Sequence, residues 1–194
     1  MHDFQIRNLN LTEVRALYHK RLAVDFPPDE LKPLSAIERA LSRDAYLCYG
    51  AVKGNDILAY AFFVKAFDNQ VPCALFDYLA VQESLRDTGI GSRFLQGLIA
   101  GPLRGFGVVL LEVDDPAYAK SPNDLDTRNR RLDFYLRNGL RDTQVTATVY
   151  RVEYRILALP VAAVPGKEDT RRIYSQLYRV IFPPSVFEAM FLLT

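Results

Sequence analysis

With 194 residues, 49% of them hydrophobic and 24% charged, the chain can bury one core, is short for two full domains, and is not disordered as a whole. Its formal net charge of +1 gives no general pull toward nucleic acid or an anionic membrane surface. Cys48 and Cys73, each inside an apolar run, are too few for a disulfide framework, and without clustered histidines they make no zinc site, so no metal is expected.

The opening Met1 to Arg7 lacks the apolar run of a signal peptide, and no later stretch has the length of a membrane span, so a cytoplasmic location is expected. Phe4-Gln5-Ile6-Arg7 alternates like a first strand. Thr12 is placed as an N-cap, with Val14, Leu17, Tyr18 and Leu22 on one helical face, and Phe26-Pro27-Pro28 stops that helix. Ser35-Ala36-Ile37-Glu38 has the pattern of a capping box and opens a second helix. Ala45 to Val52, Ile57 to Phe67 and Val71 to Val81 are strand-like, separated by the turn sequences Gly54-Asn55-Asp56 and Asp68-Asn69-Gln70, which predicts an antiparallel meander.

A polar loop then leads into Phe94, Leu95, Leu98 and Ile99 at helical spacing, and Val108 to Val113 is a buried-type strand. Strand, loop, helix and strand in this order predict a β-α-β crossover with parallel neighbours. The acidic segment Asp114 to Thr127, with Pro116 and Pro122, is expected to be a mobile loop. A helix from about Arg128 to Asn138, with Leu132, Tyr135 and Leu136 inward, closes at Gly139 as a left-handed cap. Thr143 to Leu159 is one β-prone stretch to be divided into two strands, and Pro160 to Gly166 is a linker. An amphipathic helix follows with Ile173, Leu177, Val180 and Ile181, then a capping box at Ser185-Val186-Phe187-Glu188. Domain limits of 1–159 and 160–194 are expected, the tail packing on the domain or on a partner subunit, with monomer and homodimer both open.

The segment from Val81 to Ser92 carries the most information. A loop from a strand to a helix N-terminus aims main-chain N–H groups at an anion, and glycines at 89 and 91 let a phosphate approach. It is no P-loop, because the Lys-Ser/Thr pair is missing, and no dinucleotide fingerprint, because Phe94 stands where the third glycine belongs. Leu79-Ala80-Val81 followed by Arg86-x-x-Gly89-x-Gly91 resembles the Arg/Gln-x-x-Gly-x-Gly/Ala motif of the GNAT superfamily of acetyl-CoA-dependent N-acyltransferases. Arg130 to Leu140, with Phe134-Tyr135 and Gly139, is similar to that superfamily's Phe-Tyr-x-x-x-Gly-Phe helix. Leu140 replaces the last Phe, and Arg128 stands where an asparagine is common.

The resemblance implies an α/β (α+β) fold with a mixed, mostly antiparallel sheet flanked by helices, to which a C-terminal helical tail is added. It implies acetyl-CoA as cosubstrate and direct acetyl transfer to a primary amine of a small molecule or peptide. Main-chain groups of Leu79, Ala80 and Val81, where the family has a strand bulge, would polarise the thioester. Arg86, Asp87, Thr88, Gly89, Ile90, Gly91 and Ser92 would hold the coenzyme A pyrophosphate. Tyr135 would be the general acid at the departing sulfur. Glu112 and Asp77 are the candidate bases or substrate anchors: Glu112 as a carboxylate in an apolar strand, whose structural alternative is an ion pair with Arg130 or Arg131, and Asp77 as a position sharing a face with Val81. Acidic residues 112, 114 and 115 favour a cationic acceptor, and no nucleic-acid or membrane partner is expected. The second reading is a catalytically inactive acyl-CoA-binding sensor or scaffold.

Overall fold

In a computed structural model of the chain, which describes residues 3–27, 30–149, 151–162, 164–182 and 191–193, the aromatic and β-branched runs pair as strands wherever turn residues separate them. The strands are β1 (Gln5–Asn8), β2 (Tyr46–Lys53), β3 (Asp56–Asp68), β4 (Val71–Val81), β5 (Val108–Asp114), β6 (Arg141–Val149), β7 (Val152–Ala158) and β8 (Phe191–Leu193). They form one sheet in the order β1-β2-β3-β4-β5-β7-β6-β8. Among the described residues only the β4–β5 contact is parallel. Asn69 and Gln70 both take positive φ in the β3–β4 turn, the backbone that a tight hairpin needs.

The helices are α1 (Leu11–Leu17), which runs through a π-helical turn at Tyr18–Leu22 into α2 (Ala23–Asp25), then α3 (Leu34–Ser42), α4 (Ile90–Ala100), α5 (Pro122–Arg137) and α6 (Lys167–Ile181). Two apolar layers cover the sheet. One joins Val14, Leu17, Ile37 and the α6 residues Ile173, Tyr174, Leu177 and Tyr178 to strand residues such as Tyr60, Phe62 and Leu110. The other joins α4 (Phe94, Leu95, Leu98) and Tyr135 of α5 to Phe63, Phe76, Val109 and Leu111. The tail helix thus covers the face that α1 and α3 leave open, with exposed Val180 turned away from it.

Several local expectations are corrected. Asn10, not Thr12, caps α1, and it forms the capping box with Glu13. Helix α3 starts from Pro33 without a side-chain cap, and Glu38 is drawn off into an ion pair with Arg15 at 2.6 Å. Residues 114–127 are largely ordered structure: a 3-10 turn covers Pro116–Tyr118, and α5 begins at Pro122. Ser121 caps that helix through the Asp124 N–H, and Pro122 sits in its first turn, where a proline loses no hydrogen bond. Leu136 faces solvent, so the inward face of α5 is Leu132, Phe134 and Tyr135. Gly139 does take the left-handed conformation, at φ +90°. The capping box at 185–188 lies outside the described residues.

Candidate functional site

The site is built around a gap in the sheet. β4 and β5 run parallel only through Cys73–Leu75 and Val108–Leu110. Beyond Leu75 and Leu110 each keeps its other neighbour, β3 or β7, while the two no longer bond each other. The β4 side of the gap is bent by a bulge: Phe63 pairs with Phe76 and Phe62 with Tyr78, which leaves Asp77 as the extra residue. The bulge therefore lies at Asp77, not at Leu79 to Val81. It also changes the alternation. Tyr78 and Ala80 join the α1/α3/α6 face, Leu79 and Val81 the α4/α5 face, and Asp77 bonds to groups on the first. Asp77 and Val81 do not share a face.

Behind the gap, on the α4/α5 face, a short 3-10 turn at Glu83–Leu85 leads to Asp87 at φ +61° and Gly89 at φ +83°. The Thr88 hydroxyl donates to the Leu85 carbonyl at 2.6 Å and fixes the turn. Gly89 is the N-cap of α4, and no side chain caps that helix. The first-turn N–H groups of Ile90, Gly91 and Ser92 consequently converge at a positive dipole end, a geometry suited to a phosphate. Gly91 serves packing: a Cβ there would meet a Val81 methyl at 3.3 Å and the Phe134 ring at 3.4 Å. Arg86 is held 3.4 Å from Asp25, whose carboxylate also accepts from the Tyr60 hydroxyl at 2.8 Å. Its guanidinium is half exposed and at the rim of the loop.

On the opposite face, two carboxylates flank the gap. The Asp77 side chain is 8% exposed and accepts from the Lys32 ammonium and the Tyr46 hydroxyl. The segment carrying Lys32 is stapled to β4 by Tyr78: the Lys32 N–H donates to the Tyr78 hydroxyl at 2.8 Å, which donates to the Glu30 carbonyl at 3.0 Å. Phe26 packs edge-on against the Tyr78 ring, with centroids 4.9 Å apart. Glu112, on β5, points to the same face, and its Oε1 accepts from both Tyr174 and Tyr178 of α6. The expected ion pair with Arg131 does not form among the described residues, since Arg131 bonds Asp114 at 2.7 Å instead. Burial pushes the Glu112 carboxyl above its usual range, and the two phenols and nearby Lys32 pull against that. Those phenols are held protonated by their own burial and by the carboxylate.

A stability test follows. Removing both hydroxyls in Tyr174→Phe/Tyr178→Phe strands a partly buried carboxylate, and about 2–4 kcal/mol of unfolding free energy is expected to be lost at pH 7. Chemical denaturation at pH 7 and pH 4 measures it. The loss should shrink at the lower pH, where Glu112 takes a proton, and equal losses at both would mean the hydroxyls do not serve the charge.

Tyr135 lies on the α4/α5 face, buried, its ring 5.3 Å from Phe134. Among the described residues nothing bonds its hydroxyl. Burial pushes its phenol up, with Arg131 pulling it down and Asp114 pushing it up. The sheet thus separates the predicted residues: Tyr135 and the anion loop lie on one face, Glu112 and Asp77 on the other, and the β4–β5 gap opens between them. Sequence reasoning missed Lys32 and Tyr46 entirely. It assigned no role to Tyr174 and Tyr178 of the amphipathic tail helix, although their spacing of four signals two phenols aimed at one place. No helix among the described residues is long and apolar enough to cross a membrane.

A sheet opened between two parallel strands, with an uncapped helix N-terminus behind it, is the frame of an acyl-coenzyme A transferase. Residues 11–121, more than half of the chain, match the acetyltransferase (GNAT) family. The chain belongs to that family and is an acyltransferase. Among solved structures it is similar to a protein of Bacteroides thetaiotaomicron described as a GNAT-family acetyltransferase, at 17% identity and TM-score 0.68, covering 92% of this chain and 98% of that one. It is also similar to the ribosomal-protein-S18-alanine N-acetyltransferase of Escherichia coli (21% identity, TM-score 0.53, 85% and 98% covered). A third is a GNAT-family acetyltransferase of Elizabethkingia anophelis with acetyl-CoA bound (14%, TM-score 0.54, 82% and 99%). No curated protein matches the chain.

Proposed function

We propose that the chain transfers an acetyl group from acetyl-CoA directly to a primary amine that binds as a cation. The observation that carries this reading is the gap between β4 and β5, with an uncapped helix N-terminus on one face and two partly buried carboxylates on the other. The main-chain N–H groups of Ile90, Gly91 and Ser92 hold the pyrophosphate. The thioester lies in the gap, beside free main-chain groups of β4 past the Asp77 bulge. Asp77 already holds an ammonium, that of Lys32, which fits it to anchor a cation. Glu112 is held by neutral phenols and has a raised proton affinity, which fits it to act as base.

An alkyl ammonium has a pKa of about 10.4, so the acceptor must give up a proton before it attacks. Glu112 takes that proton, the nitrogen attacks the carbonyl carbon, the N–C bond forms and the C–S bond breaks. Tyr135 gives its proton to the departing sulfur, and the second proton shed by the nitrogen as it becomes an amide restores the phenol. Thiols ionise near pH 8.5, so the leaving group needs little help. Tyr135→Phe is accordingly expected to lower kcat only about tenfold, with acetyl-CoA affinity unchanged. Calorimetric titration of acetyl-CoA, followed by thiol release across a set of primary amines, tests the whole reading. Binding with amine-dependent release supports it. Absence of binding overturns it, and binding without release for any amine supports the sensor alternative.

A further inference from the structure

The acceptor face carries a feature that a family resemblance does not require. Lys32 lies on the segment between α2 and α3, and its side chain reaches inward to the bulge on β4. Its ammonium bonds the Asp77 carboxylate. It also lies 5.5 Å from the centre of the Tyr78 ring and 5.7 Å from that of Phe182, at the end of α6. Tyr46 donates to the same carboxylate. One buried carboxylate with two aromatic faces around a single ammonium is the chemistry by which proteins bind an alkylammonium ligand. The ring of Phe182 comes from the tail helix, well beyond the matched residues 11–121. The cage stands beside the gap where the acetyl group is delivered in the function proposed above, on which this inference rests.

We propose that Asp77, Tyr78 and Phe182 form the ammonium subsite of the acceptor, and that Lys32 occupies it in cis until an unbranched primary alkylamine displaces it. The occupant identifies the ligand class. The cage holds a primary ammonium on an unbranched four-carbon stem, so a lysine side chain, a diamine or a simple n-alkylamine matches it. An anionic or a bulky tertiary amine does not. The arrangement also explains how the site is kept stable when no acceptor is present: a buried carboxylate without a counter-ion is costly, and Lys32 supplies one. The acceptor then binds only to the fraction of molecules in which Lys32 has left, and its apparent affinity falls by that fraction.

The test uses n-pentylamine, the four-carbon lysine stem and its amine with the α-carbon kept as a terminal methyl, titrated calorimetrically into the full chain saturated with coenzyme A. Lys32→Met removes the internal competitor while keeping the stem, and is expected to bind n-pentylamine at least tenfold more tightly than the parent. Lys32→Arg, which keeps a cation, should bind it like the parent. Coenzyme A affinity should be the same in all three, a pattern that a merely structural lysine would not give. Equal or weaker n-pentylamine binding by Lys32→Met, or binding by neither protein, overturns the subsite. The readout is binding alone, so a tighter Lys32→Met that releases no thiol would count against the transferase reading and leave the subsite standing. Turnover with no change at Lys32→Met would do the reverse.

Discussion

Glu112→Gln is expected to lower kcat for amine acetylation by roughly 10²–10⁴-fold while raising the melting temperature at pH 7. The two effects share one cause. Glu112 is partly buried, and desolvation raises its carboxyl in the folded protein above the 4.5 of an unperturbed glutamate. The folded state therefore holds the proton more tightly than the unfolded state does. Below about pH 4.5 the group is protonated in both states and nothing is lost. As pH rises from 4.5 through the raised folded value, ionisation costs the folded state more than the unfolded, and the penalty then stays constant. Glutamine carries no charge at any pH. Its single amide oxygen stands where Oε1 accepts from both Tyr174 and Tyr178, so both hydrogen bonds survive.

The melting-temperature difference between variant and parent should accordingly be near zero at pH 4 and positive at pH 7. A melting series over pH 4 to 8, beside steady-state kinetics at pH 7, measures both. A melting temperature that falls at pH 7 would show that the carboxylate holds the two phenols better than a neutral amide does. Unchanged kcat would move the base to Asp77. Loss of activity with gain of stability is the usual mark of a group kept for chemistry at the expense of folding.

How much of this was legible in the sequence depended on how local the signal was. The meander was readable because Gly54-Asn55 and Asn69-Gln70 each punctuate it with residues that accept positive φ or tight turns. The crossover and the anion loop were readable because strand, glycines and helical spacing follow in one short stretch. The start of α5 is harder to read, because a proline such as Pro122 usually breaks a helix, whereas Ser121 before it makes it a helix starter. The bulge was invisible: one extra residue in β4 leaves no glycine or proline behind, yet it turns Asp77 and Val81 to opposite faces. The partners of Glu112 lie 62 and 66 residues away in the chain, and Lys32 lies 45 residues from Asp77. Such pairings are fixed by topology, and no spacing rule reaches them. Glu112 itself was legible because a charge in an apolar strand has to be explained by a partner or a function.

The second large effect is expected at the anion loop, and the choice of substitution decides whether it can be read. Gly91→Trp looks like the direct block from sequence, but the Cβ direction at Gly91 runs into Val81 and Phe134, so an indole would disrupt the packing of α4 on β4 and α5. Lost binding would then report lost structure. Ser92 avoids this. With Gly89 as N-cap, Ser92 is the third residue of the helix, where a glutamate is favoured and complements the helix dipole. Ser92→Glu should therefore fold as well as the parent, with an unchanged or slightly higher melting temperature. It puts a negative charge where the pyrophosphate is to sit, and acetyl-CoA affinity is expected to fall roughly 10- to 100-fold, or about 1.4–2.8 kcal/mol. Ser92→Gln, of the same size and uncharged, isolates the charge from the bulk. Its affinity should stay within a few-fold of the parent, and the gap between the two variants should narrow as salt is raised. Equal losses in both would assign the effect to bulk, and unchanged affinity in Ser92→Glu would remove the pyrophosphate from the N-terminus of α4 altogether.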